Sequence, residues 1–142
     1  MQDSEQAHQH KPGKFVTGPF IESEHREYLE TWLKERSYDP SRAENLPSLG
    51  LVCFYDKVPA AIIFLRNCEN GIGMIDGLTS DPNLPFEIRN QAVRIAVSRL
   101  LQICQALNIK QIISFTDSER VIDLSKEFGF SETKHKVICR EI

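Results

Sequence analysis

Glycine is scarce in this chain of 142 residues: there are seven, and none lies between Gly77 and Gly129. A phosphate site in that span would therefore lack the usual glycine-rich loop. Cysteine is sparse and scattered. Cys53, Cys68, Cys104 and Cys139 stand singly with no CxxC pair, which excludes the spacing of a zinc site or a disulfide framework. Three of them sit in apolar runs and read as small buried thiols in a reducing, cytoplasmic compartment. No excess of basic charge exists; the formal net charge is -3, so no global field draws nucleic acid or an anionic membrane. No apolar run approaches the ~18 residues of a membrane span, and the N-terminus has no signal-like apolar segment.

What is present suits one globular domain, residues 15–142, behind a polar tail of residues 1–14, "MQDSEQAHQHKPGK". His8 and His10 on that tail read as incidental. "SEHREYLETWLKER" repeats Tyr28, Leu29, Trp32 and Leu33 on one helical face, with Ser23 as the expected N-cap. "LGLVCFY" and "PAAIIFLR" are β-rich runs joined by a hairpin around Asp56 and Lys57. After the turn "NCENG", "IGMIDGLTS" reads as a third strand, and Gly73 and Gly77 within it suggest a bulge or a close backbone approach.

The long helix after Pro85 is the strongest element. Ala92, Val93, Ala96, Val97, Leu100, Leu101, Cys104 and Leu107 fall on one apolar stripe. Cys104 belongs to that stripe as packing, not as a nucleophile. "IKQIISFT" is a buried strand. "TDSE", Thr116–Glu119, fits a capping box before a helix that stops at Gly129. "FSETKHKVICREI" reads as a last strand, able to offer a dimer edge. The predicted order is α, β, β, β, long α, β, α, β. It implies a mixed α/β fold whose mostly antiparallel sheet carries flanking helices, with one right-handed parallel crossover. Ligands in such sheets favour the ends of parallel strands beside helix N-termini.

This order, with "GLTSDP" before the long helix and "KEFGF" closing the next, resembles the GNAT superfamily of N-acetyltransferases from about Leu46 to Arg140. The resemblance implies acetyl-CoA as co-substrate, its pantetheine held by strand backbone at Leu78, Thr79 and Ser80. It also implies a pyrophosphate loop of the form Arg/Gln-x-x-Gly-x-Gly/Ala. "RNQAVR" fits with Arg89 first, while Ala92 and Arg94 stand where glycines belong. Any Cβ pushes an anion away from backbone amides, so Arg89 and Arg94 would have to replace amide contacts with guanidinium ones. Glycine-poor members of this kind are often phage-encoded and uncharacterised. Ser125 takes the place of the family's thiolate-protonating tyrosine, and Ser118 that of an asparagine near the helix start. Asp76, among Met74, Ile75 and Leu78, is the candidate general base.

The resemblance further implies a small-molecule or peptide amine as acceptor, with no nucleic-acid or membrane partner. His25, Tyr28, Trp32 and Tyr38 are candidates to line the acceptor cleft, although helical spacing makes Trp32 core. His135, in the basic "KHK", is a surface histidine. Two readings remain open: an acetyl-CoA-dependent N-acetyltransferase, or a GNAT-shaped binding or structural module that has lost CoA. An enzyme keeps the parallel strands splayed; a module plugs the splay, with Leu84 or Phe86.

Overall fold

The structure is a computed structural model and describes residues 13–142. The elements run β1 (Phe15–Pro19), α1 (Glu22–Glu35), a short 3-10 turn (Pro40–Ala43), β2 (Leu49–Tyr55) and β3 (Val58–Asn67). They continue with β4 (Ile72–Ile75), β5 (Thr79–Ser80), α2 (Phe86–Ala106), β6 (Gln111–Ser114) and α3 (Glu119–Lys126). The sheet is ordered β1-β2-β3-β4-β6, with β5 also on β3. Among the described residues only β4 and β6 pair in parallel, so the fold is mixed α/β with a mostly antiparallel sheet, as the sequence predicts.

Period-two alternation along β2 and β3 sorts the core into two layers. Val52, Ile62 and Phe64 face α1 and pack with Leu29, Trp32 and Leu33. Leu51, Cys53, Ala61, Ile63 and Leu65 face α2 and pack with Ala92, Ala96, Leu100 and Cys104. A strand covered on both faces needs apolar side chains at every position, which is why β3 reads "AAIIFL" without a break. The hairpin predicted at Asp56 and Lys57 forms with both residues at positive φ, 48° and 69°. Their right-handed twist match suits a two-residue turn even without glycine.

Several expectations are corrected. The predicted order opens on a helix, but a strand, β1, comes first. It pairs antiparallel with β2 as an edge strand, the one place in a sheet where proline is tolerated. Gly13 and Lys14, assigned to the tail, are bound to Tyr55 and Asp56; the rest of that tail, with His8 and His10, lies outside the described residues. Ser23 does not cap α1. The helix opens two residues earlier, at Glu22, with Ile21 at the N-cap. The last strand is absent: residues 131–142 form no strand, and Val137 and Ile138 are 66% and 96% exposed. The two stand side by side in a polar segment, so neither strand face collects a set to bury. β6 therefore has β4 as its only neighbour among the described residues.

The expected capping box also shifts. Ser118, not Thr116, is the N-cap of α3, its Oγ accepting from the Val121 amide at 3.4 Å. Leu107, at the end of the predicted stripe, is half exposed beyond the last turn of α2. Cys53 and Cys104 are buried as expected, whereas Cys139 is exposed with the C-terminal segment.

Candidate active site

The site begins as a break in one long strand. β4 and β5 both run antiparallel to β3, but their registers differ by one residue. Between the pairs Leu65–Ile75 and Ile62–Thr79, Ile63 and Phe64 face three residues, Asp76, Gly77 and Leu78. This is a β-bulge. Gly77 sits at its apex with φ +92°, a conformation that glycine adopts without strain. The sequence suggested a bulge or close approach for Gly73 and Gly77: the bulge is at Gly77, while a Cβ on Gly73 would meet Leu65 Cδ1 at 3.1 Å.

The bulge ends the parallel pairing. β4 stays beside β6 through Ile75–Ser114, and β5 then follows β3 alone, so the strands splay. Asp76 donates its amide to the Phe64 carbonyl at 2.9 Å and Asp81 donates to the Ala60 carbonyl at 2.9 Å. Antiparallel alternation then directs the Thr79 amide toward β3, and those of Leu78 and Ser80 away from it. Among the described residues the Leu78 amide has no hydrogen-bond partner. A cleft of about 400 Å³ opens here, walled by Leu29 and Leu33 of α1, Tyr38, Arg42, the bulge and Phe115.

Neither predicted plug fills the splay. Phe86 is half exposed at the start of α2, and Leu84 packs against the α2 side of the core. Asp76 lines the cleft and is held by Arg66, whose Nε and Nη2 both donate to Oδ2 at 3.0 and 2.8 Å. The carboxylate is therefore not the desolvated group that the apolar neighbours in sequence suggested; its pleat turns it to the solvated side.

α2 opens at Pro85 and Phe86, after Pro85 as the sequence predicts, so the Arg89–Arg94 stretch matched to the phosphate loop lies inside the helix. Pro85 offers no side-chain cap, so the first amides of α2 are open to a ligand. Arg89 is in the first turns, its guanidinium 5.9 Å from the Phe86 ring centroid, with a buried Nε that has no partner. Arg120, which the sequence reading missed, stacks on the same ring at 4.2 Å. Only the tertiary fold brings α3 to that ring. Ala92 is fully buried in the core, and Arg94 is ion-paired with Glu127, about 12 Å along the helix from Phe86. These two positions do not join the opening, because the motif was placed inside the helix rather than in the loop before it.

The remaining candidates are distributed as follows. Ser80 faces α1: Arg36 donates to its carbonyl at 2.9 and 3.3 Å and to its Oγ at 3.0 Å. Ser125 donates to the Ile122 carbonyl at 2.7 Å, and Ser118 is occupied as the cap of α3. His25 is buried rather than on the surface. Its Nδ1 accepts from the Ile21 amide at 2.9 Å, supplying the cap that α1 otherwise lacks, between Phe20 and Phe54. His135 is exposed. Trp32 is core, and Tyr38 lines the cleft.

The sequence matches no protein-family profile and no curated protein. Its fold does match solved structures. The aminoglycoside N-acetyltransferase AAC(6')-Iy in complex with CoA aligns with a TM-score of 0.67 at 12% identity, over 93% of this chain and 97% of that one. A Trypanosoma brucei acetyltransferase gives 0.67 at 13% identity, over 90% and 100%. A GNAT-family acetyltransferase from Brucella melitensis in complex with acetyl-CoA gives 0.68 at 14%, over 84% of each chain. The fold is thus the GNAT acetyltransferase fold.

Proposed function

We propose that this chain is an N-acetyltransferase that moves an acetyl group from acetyl-CoA to an amine. The observation that carries the reading is the open splay at the Gly77 bulge, with an unpaired Leu78 amide facing it and an uncapped helix start alongside. The residues present suit CoA. The partnerless, buried Nε of Arg89 and the bare amides of α2 are donors awaiting an anion. When bound, acetyl-CoA supplies an acyl group already activated as a thioester.

The chain's own residues then have distinct tasks. The Leu78 amide is placed to stabilise negative charge developing on a carbonyl oxygen in the splay. Leu78, Thr79 and the bulge hold an extended ligand by backbone contact, while Ser80 contributes less because Arg36 already occupies its carbonyl. Asp76, fixed by Arg66, can accept a proton from an incoming ammonium directly or through water. Ser125 has its hydroxyl proton committed to Ile122, so protonation of the leaving thiolate falls to water.

A second reading, a GNAT-shaped module without catalysis, is favoured by two features. Arg36 covers part of the strand edge, and Glu87 adds negative charge in the first turn of α2. Calorimetric titration with acetyl-CoA separates the two, with a thermal-shift scan beside it. Ligand at about 100 times its Kd should stabilise the fold by about 2.7 kcal/mol. No heat and no shift at millimolar acetyl-CoA would leave the module reading standing. Localisation in the cytoplasm and dimerisation are kept as expectations; no helix among the described residues is long and apolar enough to cross a membrane.

A further inference from the structure

The charge in the cleft narrows the acceptor. Two charged side chains line it, Asp76 and Arg42, among otherwise apolar and neutral residues. Asp76 is already neutralised by Arg66, which is itself fixed by donation to the Asn45 carbonyl at 3.2 Å. The guanidinium carbon of Arg42 lies over Tyr38, 4.7 Å from the ring centroid, and Arg42 forms no ion pair among the described residues. Asp39 is near enough for Arg42 to help hold its carboxyl below the usual range. That carboxylate is committed chiefly to the Ser41 amide, its main cause of depression, and does not line the cleft. The Arg42 guanidinium donates no hydrogen bond among the described residues, so its N–H groups are available to a ligand in the cleft.

Resting on the acetyltransferase reading, we propose that the acceptor is an amine that also bears a carboxylate, an amino acid or a short peptide with an apolar side chain. Its ammonium lies toward Asp76, whose Oδ1 is left free by the Arg66 contacts to Oδ2. Its carboxylate lies on Arg42, whose guanidinium rests over the Tyr38 ring and can give a carboxylate two parallel hydrogen bonds. Leu29, Leu33 and Phe115 receive the side chain. A polycation is disfavoured by the same cleft, because its second ammonium would meet a guanidinium and no spare carboxylate. The weak acidity of the whole chain does not bear on this, since charges beyond about 8–10 Å are screened in solution.

In the transfer step the amine nitrogen bonds to the acetyl carbon, the carbon–sulfur bond breaks, and the electron pair leaves on sulfur. The ammonium first gives one proton to Asp76 or water so that its lone pair can attack; the nitrogen loses a second proton to water as the amide forms, and the thiolate takes one from water. No oxidant or reductant is needed.

The test is an acceptor panel with acetyl-CoA: leucine, leucyl-glycine, leucinamide, leucyl-glycinamide and spermidine, followed by thiol release. Calorimetric titration of the same compounds into the CoA-saturated protein supplies a readout independent of turnover. Leucine and leucyl-glycine arms distinguish a free amino acid from a peptide terminus. The carboxylates should outperform their amides by about tenfold to a hundredfold in KM and in Kd, the range for one charge-assisted contact. Arg42→Gln should erase that gap while leaving acetyl-CoA affinity unchanged, and Arg42→Glu should reverse it in favour of the amides. Equal use of acids and amides, a preference for spermidine, or an unaltered gap in Arg42→Gln would overturn the assignment. If acetyl-CoA itself fails to bind, the acetyltransferase reading falls first, and that failure is seen before any acceptor is added.

Discussion

Two glycines share a backbone conformation but differ in what surrounds them, and the pair makes a sharp test of the site. Gly77 has φ +92° and Gly129 has φ +86°. A Cβ on Gly77 would meet Phe64 Cδ2 at 3.5 Å, an ordinary contact, and one on Gly129 would meet nothing within 4 Å. Alanine at either position therefore costs backbone strain with little steric clash, about 1–2 kcal/mol in both cases. For a domain of this size that lowers Tm by roughly 2–8 °C, measured by calorimetry. The functional consequences diverge. At Gly77 relaxation of φ would close the bulge and re-aim the Leu78 amide, and losing one oxyanion donor typically costs about 100-fold or more in kcat. At Gly129 relaxation affects only the end of α3, so kcat should stay within about twofold of wild type, well inside ~1 kcal/mol. Similar Tm losses with unequal kcat support the site. If Gly77→Ala retains wild-type kcat, or if both variants lose activity equally, the bulge is not an active-site device.

Arg89→Ala should weaken acetyl-CoA binding by about tenfold to a hundredfold, as expected for one charge-assisted contact; an unchanged Kd in a titration removes Arg89 from the site. Arg94→Ala, which breaks only the exposed pair with Glu127, should leave that Kd alone and shift stability by less than about 1 kcal/mol in urea unfolding. Leu100→Ala, in the fully buried α2 stripe, should cost about 2–5 kcal/mol by the same assay, and a loss under about 1 kcal/mol would contradict its place in the core. Burial pushes the Cys53 thiol up from 9.0 to about 11. The folded state then holds a proton that the unfolded state loses first, so this contribution to stability is whole below about pH 9 and is lost toward about pH 11. Cys53→Ala should flatten that part of the stability–pH profile; parallel profiles for variant and wild type would refute the assignment.

Much of the architecture was legible because it rests on local periodicity. The stripe of α2, the doubly buried run of β3, the Asp56–Lys57 hairpin and the end of α3 at Gly129 each follow from spacing or turn chemistry within a dozen residues. The errors differ in cause. The predicted order omits β1, whose strand identity comes from pairing with β2 rather than from its own residues. The apolar ending "VIC" suggested a strand that has no alternation to bury.

The site divides along the same line. The sequence by itself determined that glycine stands at residue 77 and that arginine stands at residue 89, and so where a bulge and a cation can occur. Whether these meet was decided by long-range packing. Arg66 across the sheet fixes Asp76, Arg36 from α1 covers Ser80, and Arg120 from α3 reaches Phe86. Arg94, only five residues after Arg89, turns instead toward Glu127, because a helix of 3.6 residues per turn places the two on different faces. Contacts of this kind join residues distant in the chain, and no pattern confined to one segment encodes them.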